Sequence, residues 1–287
     1  MRRRTLGALA LVAACAAPVA ASDFLGRHVW APGWHGAGGY SALWLGPDGA
    51  EFVALSDRGS WVQGRLQRAA DGAVSGVTVM ARGPLLRSTG GRLQSSEADA
   101  EGIARVGDTF YVSYEGVHRV MRHRNLGAPP ERFPQAAAFE TLQSNSGLEA
   151  LAATPDGTLY AIPERSGALD RPFPVYRFRD GIWDEAFGLR RDGAFLVAGA
   201  DIFEGRLYLL ERDFAVIGFR SRVRSFDLTG GSERLEMESP LRTHDNLEGI
   251  SIWRDERGRR RMTLISDDNL RALQTTEFVD YLLDAPD

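Results

Sequence analysis

The sequence contains no lysine; all 34 of its Lys and Arg positions are arginine. Every permanent cation is therefore a planar guanidinium, able to grip a carboxylate or a phosphate through two parallel hydrogen bonds. It has one cysteine, Cys15, so no intramolecular disulfide can brace the fold. No long basic run appears and the formal net charge is −4, which leaves nucleic acid without support as a partner. Long helical periodicity is missing, as is any second apolar run of transmembrane length. Neither a Gly-x-Ser-x-Gly elbow, a Walker loop nor a His-Glu-x-x-His motif occurs, so the common serine-hydrolase, nucleotide and zinc-protease signatures do not apply.

The N-terminus reads as a secretory signal. Met1-Arg2-Arg3-Arg4 is a positive leader, Leu6 to Ala14 a short apolar segment, and Val19-Ala20-Ala21 a small-residue cleavage site before Ser22. Residues 1–21 are expected to be a signal peptide and 22–287 a single domain, exported to the periplasm. Val12-Ala13-Ala14-Cys15 also fits a lipobox, the alternative being a lipid anchor at Cys15 rather than a membrane span.

Short apolar runs fill the rest, separated by turn signals such as Pro47-Asp48-Gly49, Pro155-Asp156-Gly157 and Asp180-Gly181. They form a repeat: an acidic or small residue opens one strand, a turn follows, and a second strand ends in an acid. The openings stand at Ser41, Glu101, Glu149, Asp201 and Glu248, at intervals of 60, 48, 52 and 47 residues. Each interval accommodates four strands, one blade of a β-propeller. Five blades are predicted by count, with six as the alternative. Leu273 to Leu283 is expected to supply a third strand and Phe24 to Trp30 the outermost one, closing the ring.

In a blade, the start of the first strand and the end of the second lie on one face. That geometry gathers Glu101, Glu149, Asp201 and Glu248 with Asp57, Glu115, Glu164, Glu211 and Asp267. Nine carboxylates together require counter-charge. Oxygen donors without a Cys or His cluster suit a hard divalent cation, Ca²⁺, with Asn145, Asn246 and Asn269 nearby in sequence. Arginine is the second source: Arg58, Arg165 and Arg212 each follow a strand-ending acid, and Arg119 comes shortly after Glu115. These four are the candidate contacts to a small anionic ester. Glu101, Glu149 and Glu248 are the candidate catalytic carboxylates, and His244, in His244-Asp245-Asn246-Leu247-Glu248-Gly249, is a candidate general acid or base. Each set has a plainer reading, in which acids cap turns, acid–arginine pairs tie blades together and His244 bonds a loop.

Four motifs, Ser56-Asp57-Arg58-Gly59, Asp99-Ala100-Glu101-Gly102-Ile103, Asn145-Ser146-Gly147-Leu148-Glu149-Ala150-Leu151 and Asn246-Leu247-Glu248-Gly249-Ile250, together resemble the bacterial phytase-like domain. Members are often described as having esterase-like activity. The resemblance implies an exported propeller related to the β-propeller phytases, which bind phosphate and activate water with several Ca²⁺ ions on an acidic face. The absence of lysine departs from the phosphate-holding set of true phytases. Three functions follow as expectations: a Ca²⁺-dependent hydrolase of phosphate esters, a metal-dependent carboxyl-esterase or lactonase, and a non-catalytic envelope propeller that binds a ligand or protein.

Overall fold

The computed structural model describes residues 22–144 and 146–283. The predicted signal peptide, Cys15 and Asn145 lie outside the described residues. Nineteen strands make five sheets, with two short 3₁₀ turns, Ser95–Glu97 and Ala137–Thr141, as the helical content among these residues. No described helix is long and apolar enough to cross a membrane.

The first blade is β2 (Tyr40–Leu45), β3 (Glu51–Ser56), β4 (Ser60–Arg68) and β5 (Val74–Pro84). The second has three strands, β6 (Ala100–Val106), β7 (Thr109–Tyr114) and β8 (Arg119–His123). Where its fourth would pair, a single bridge joins Arg122 to Glu131, and the Gln135 amide bonds both N–H and C=O of Val120 at 2.8 Å. Those contacts occupy an edge that would otherwise invite pairing. The third blade is β9 (Leu148–Ala153), β10 (Leu159–Pro163), β11 (Phe173–Arg179) and β12 (Ile182–Leu189). The fourth is β13 (Leu196–Phe203), β14 (Arg206–Ala215), β15 (Gly218–Asp227) and β16 (Arg234–Glu238).

The fifth blade closes the ring. Its inner strands β17 (Asn246–Arg254), β18 (Arg260–Asp267) and β19 (Glu277–Leu282) come from the end of the chain, and β1 (Asp23–Val29) completes it from the start. β1 runs antiparallel to β19 from Asp23↔Leu282 to Val29↔Glu277, so the predicted closure and the count of five hold.

Turn chemistry explains the strand boundaries. Asp180 (φ 53°) and Gly181 (φ 84°) form the two-residue link between β11 and β12, with both residues in the left-handed region that such a hairpin requires. Five apolar clusters fill the seams between adjacent blades. Between blades four and five, for example, Tyr208, Leu210 and Val223 pack on Ile250, Ile252 and Leu264. Around the axis β2, β6, β9, β13 and β17 touch in sequence. They approach closely because the contact positions are small. A Cβ on Gly199 would lie 2.3 Å from the Glu248 carbonyl oxygen, and one on Gly249 2.7 Å from the Leu43 nitrogen. The void left on the axis is about 10 Å³, room for one water at most. The channel is therefore plugged, and whatever binds on the axis must bind at an end.

Candidate functional site: two carboxylate rings at one end of the axis

Each inner strand carries a β-bulge at the same point. The register slips at Ser41, Glu101, Glu149, Ala198 and Glu248, each set between two paired residues. A bulge inserts one residue and re-aims a side chain at an element's rim. The bulge positions are spaced 60, 48, 49 and 50 residues apart, a more even repeat than the one read from sequence. They form an inner ring of three carboxylates, one serine and one alanine. Ser41 donates to the Ala100 carbonyl at 2.5 Å and so ties blade one to blade two.

A second ring surrounds the first. The residues of the second strands that pair with the position just before each bulge are Ser56, Tyr114, Pro163, Glu211 and Ser266, and the next residues are Asp57, Glu115, Glu164, Arg212 and Asp267. Four blades thus contribute an acid and the fourth contributes Arg212.

This register corrects the sequence reading of blade four. The equivalent of the inner-ring acids is Ala198, three residues before Asp201. Asp201 stands at the opposite end of the axis. It accepts the Ile252 N–H at 2.7 Å, and burial pushes its carboxyl up to about 7 against that bond and those of Ile202 and Ser251. Glu211 is one residue early, and one residue turns a strand side chain to the other face. It is fully buried and gripped by Arg222 and Arg224 at 2.7–3.1 Å.

Arg212 occupies the space that Ala198 leaves. It reaches Glu149 at 3.2 Å, Glu164 at 3.3 Å and the Asn246 side chain at 3.2 Å, and it pairs with Glu248. Asn246 also donates to Glu248 at 2.7 Å. Burial alone would lower the Arg212 pKa, but Glu149, Glu164 and Glu101 outweigh it and raise it. Glu149 remains raised by burial despite Arg212, with Glu164 and Glu115 adding to the shift. On this side the rings are an internal salt-bridge cluster, and the predicted anion contact Arg212 is its counter-ion.

The other side has no such cation. Asp99, Glu101 and Glu115 bring one oxygen each within 4.8 Å of one another. Among the described residues none of the three is ion-paired to an arginine. Burial raises Glu101 well above the usual range, with Glu149, Asp99 and Glu115 adding to it. Glu115, which accepts the Gly147 N–H at 3.1 Å, is pushed up to about 7 by burial and by Asp99 and Glu164. Oxygen donors crowded together with no guanidinium bonded to them fit a hard divalent cation. Asp99 was missing from the sequence-predicted set, although its place two residues before Glu101 was the available signal.

Between these halves, Asp267 is pushed up to about 6 by burial, against the N–H of Asn269 at 2.7 Å and with Asp57 and Asp268 nearby. Asp57 is raised by burial and held in part by Arg58 at 3.4 Å. Arg58 and Arg165 are the exposed guanidiniums at the rim, the latter 3.0 Å from Glu164. Arg119 turns away, donating to the Glu97 carbonyl at 2.6 Å and stacking 4.0 Å over Tyr114. His244 also lies off the rings. It bonds the Tyr281 hydroxyl at 2.6 Å, packs on Phe24, and is driven down to about 4 by burial and Arg27, so it is neutral at pH 7.

A family model described as "Phytase-like: Esterase-like activity of phytase" matches residues 35–270. No curated protein matches the sequence. Among solved structures, an α-L-arabinofuranosidase from Podospora anserina in complex with cellotriose aligns at TM-score 0.52 and 11% identity, over 92% of this chain and 97% of that one. The catalytic domain of a Coprinopsis cinerea α-L-arabinofuranosidase aligns at 0.47 and 10% identity, covering 91% and 96%. A Dyadobacter fermentans protein of unknown function aligns at 0.47 and 11%, covering 85% and 76%. At such identities the likeness concerns the fold.

Proposed function

The chain belongs to the phytase-like family, and on that premise we propose that it hydrolyses phosphate esters at the carboxylate rings with a divalent cation, calcium being the ion the donor set suits. The observation that carries this reading is the convergence of Asp99, Glu101 and Glu115 without an arginine between them. These three side chains would hold the ion, which when bound supplies Lewis-acid polarisation of a phosphoryl group. Arg58 and Arg165 at the rim take the anionic oxygens of a small ester through paired N–H donors. Asp267, with its pKa near 6, is mostly ionised at pH 7 yet basic enough to take a proton from water. The water oxygen bonds to phosphorus as the P–O bond to the alcohol opens, and the proton held by the carboxylate passes to the departing alkoxide. Glu149, Glu164, Glu248 and Arg212 form the fixed wall that keeps the rings in register.

One observation favours a second reading, hydrolysis of a neutral carboxylic ester or lactone. Arg212, the one cation inside the rings among the described residues, is fully engaged by acids and Asn246, which leaves anion binding to the rim arginines Arg58 and Arg165. The test is thermal unfolding with chelator and with added calcium, beside chromogenic phosphomonoester and carboxylic-ester assays. We expect a calcium-dependent rise in melting temperature and phosphomonoester turnover, both lost in Asp99→Asn/Glu101→Gln. Turnover of the carboxylic ester alone, unaffected by Arg58→Ala/Arg165→Ala, would assign the second reading. Calcium binding without turnover on either ester would leave a binding propeller.

A further inference from the structure

The end of the axis that bears the carboxylates also bears most of the exposed apolar side chains. By the strand directions, this end carries every loop from a second to a third strand and every crossing to the next blade. Val216 (96% exposed) and Ile217 cap the β14–β15 turn, and Leu273 (98% exposed) and Leu270 stand on the loop before β19. Leu169 and Val117 project from the corresponding loops of blades three and two. Phe214, Leu241 and Val29 stand beside them at the same end, whereas Phe24, Met80 and Ile182 are the exposed large apolar residues elsewhere among the described residues. Single exposed apolar residues are ordinary on a soluble surface, but nine of twelve at one end, from four blades, are not scattered.

The ring acids and the rim arginines at this end are sorted by height. The carboxylates Glu101, Glu149, Glu248 and Asp267 are buried, while Arg27, Arg58 and Arg165 have side chains 43–64% exposed, and Arg271 is exposed on the Leu270–Leu273 loop. An approaching surface therefore meets apolar tips and guanidiniums before it meets the ring acids, with Asp170, beside Leu169, and Asp192 the exposed acids among them. We propose that this face docks on an anionic lipid surface, with the loop tips entering the boundary between headgroups and acyl chains and the rim arginines on lipid phosphates. A lipid surface fits because Arg27 and Arg271 line one groove with Phe214, Val216, Ile217 and Leu273, so that apolar tips and guanidiniums are presented together, as a layer of headgroup phosphates over acyl chains requires. The mouth of the rings would then face the headgroup layer. This inference does not depend on the chemistry proposed for the rings.

Vesicle co-sedimentation of the purified protein tests it. The protein should sediment with vesicles of phosphatidylglycerol and phosphatidylcholine in equal parts, less with phosphatidylcholine alone, and less as salt is raised. Val216→Asp/Leu273→Asp should lower vesicle partitioning at least about tenfold, and Leu169→Asp, from a different blade, should lower it by a smaller factor. Ile182→Asp, at the opposite end, should leave it unchanged. These are exposed loop positions, so an unchanged melting temperature identifies variants that fold. No sedimentation of the wild type with anionic vesicles at low salt would overturn the proposal, as would an equal loss in Ile182→Asp. A wild-type dimer in light scattering that Val216→Asp/Leu273→Asp dissolves, without any vesicle binding, would assign the face to a second copy instead.

Discussion

Arg212→Met removes the counter-ion of the rings while preserving side-chain length and apolar stem. Glu149, Glu164 and Glu248, all buried, would lose the cation they share. Breaking a buried ion pair from one side costs about 3–5 kcal/mol, because the remaining charge is left desolvated. For a domain of this size, each kcal/mol moves the melting temperature by roughly 2–4 °C, so a fall of about 6–20 °C is expected at pH 7.5. The deficit must depend on pH. Glu149 is already raised by burial, and losing Arg212 raises it further. Below the unfolded glutamate pKa Glu149 is neutral in both states and adds no penalty; its penalty grows as pH rises through the folded value. Urea unfolding at about pH 4.5 and 7.5 should therefore show a small deficit at the lower pH and the full one at the higher. Adding Glu149→Gln to Arg212→Met should return about 1–3 kcal/mol by removing one unpaired charge. A deficit under about 1 kcal/mol at the higher pH, or one of equal size at both, would refute the account of Arg212 as a buried counter-ion.

The chelated wild type should lose stability as pH rises. Asp267 moves from 3.8 to about 6, so its share, about 3 kcal/mol, is present below about pH 4 and gone above pH 6. A flat urea midpoint across that window contradicts it, and calcium should offset the loss. Asp201→Asn should leave any calcium-induced melting shift intact, since Asp201 sits at the other end of the axis; disappearance of the shift would undo the register assignment. Gly199→Ala places a Cβ against the Glu248 carbonyl and should cost about 1–3 kcal/mol by forcing blade four from blade five, read as a lowered melting temperature.

The residues that carried the fold in the sequence were the turn formers and the recurring acid at the head of an apolar run. Asp180-Gly181 specifies its hairpin locally, because few other pairs tolerate two positive φ angles. The pairing of Phe24–Trp30 with the last strand followed from counting strands per repeat, since a three-stranded last blade needs a fourth. Glu101, Glu149 and Glu248 were legible for the same reason: each recurs before Gly or Ala at the bulge. In blade four the cue failed, because Asp201-Ile202-Phe203 imitates the opening pattern while the true bulge residue, Ala198, has no distinctive side chain.

His244 and Arg119 show a different limit. Both lie near acids in the chain, yet His244 is neutralised by burial against Tyr281, and Arg119 is spent on backbone carbonyls and the Tyr114 ring. Which way a loop side chain turns depends on the packing of neighbouring blades, and local sequence does not encode it.

By itself the sequence determined the class of the fold, the closure of the ring and the acidic character of one end, because turns, alternation and repeat length are local properties of the chain, and the sheet pairing decided for five blades over six. Tertiary structure decided which residues make up the rings. Strand side chains alternate with a period of two, and a bulge shifts that alternation by one residue at a point no count of residues marks. Glu211 and Arg212 are adjacent in the chain; pairing with Val197 and Leu196 sends the first into a buried arginine cluster and makes the second the cation at the centre of the acids.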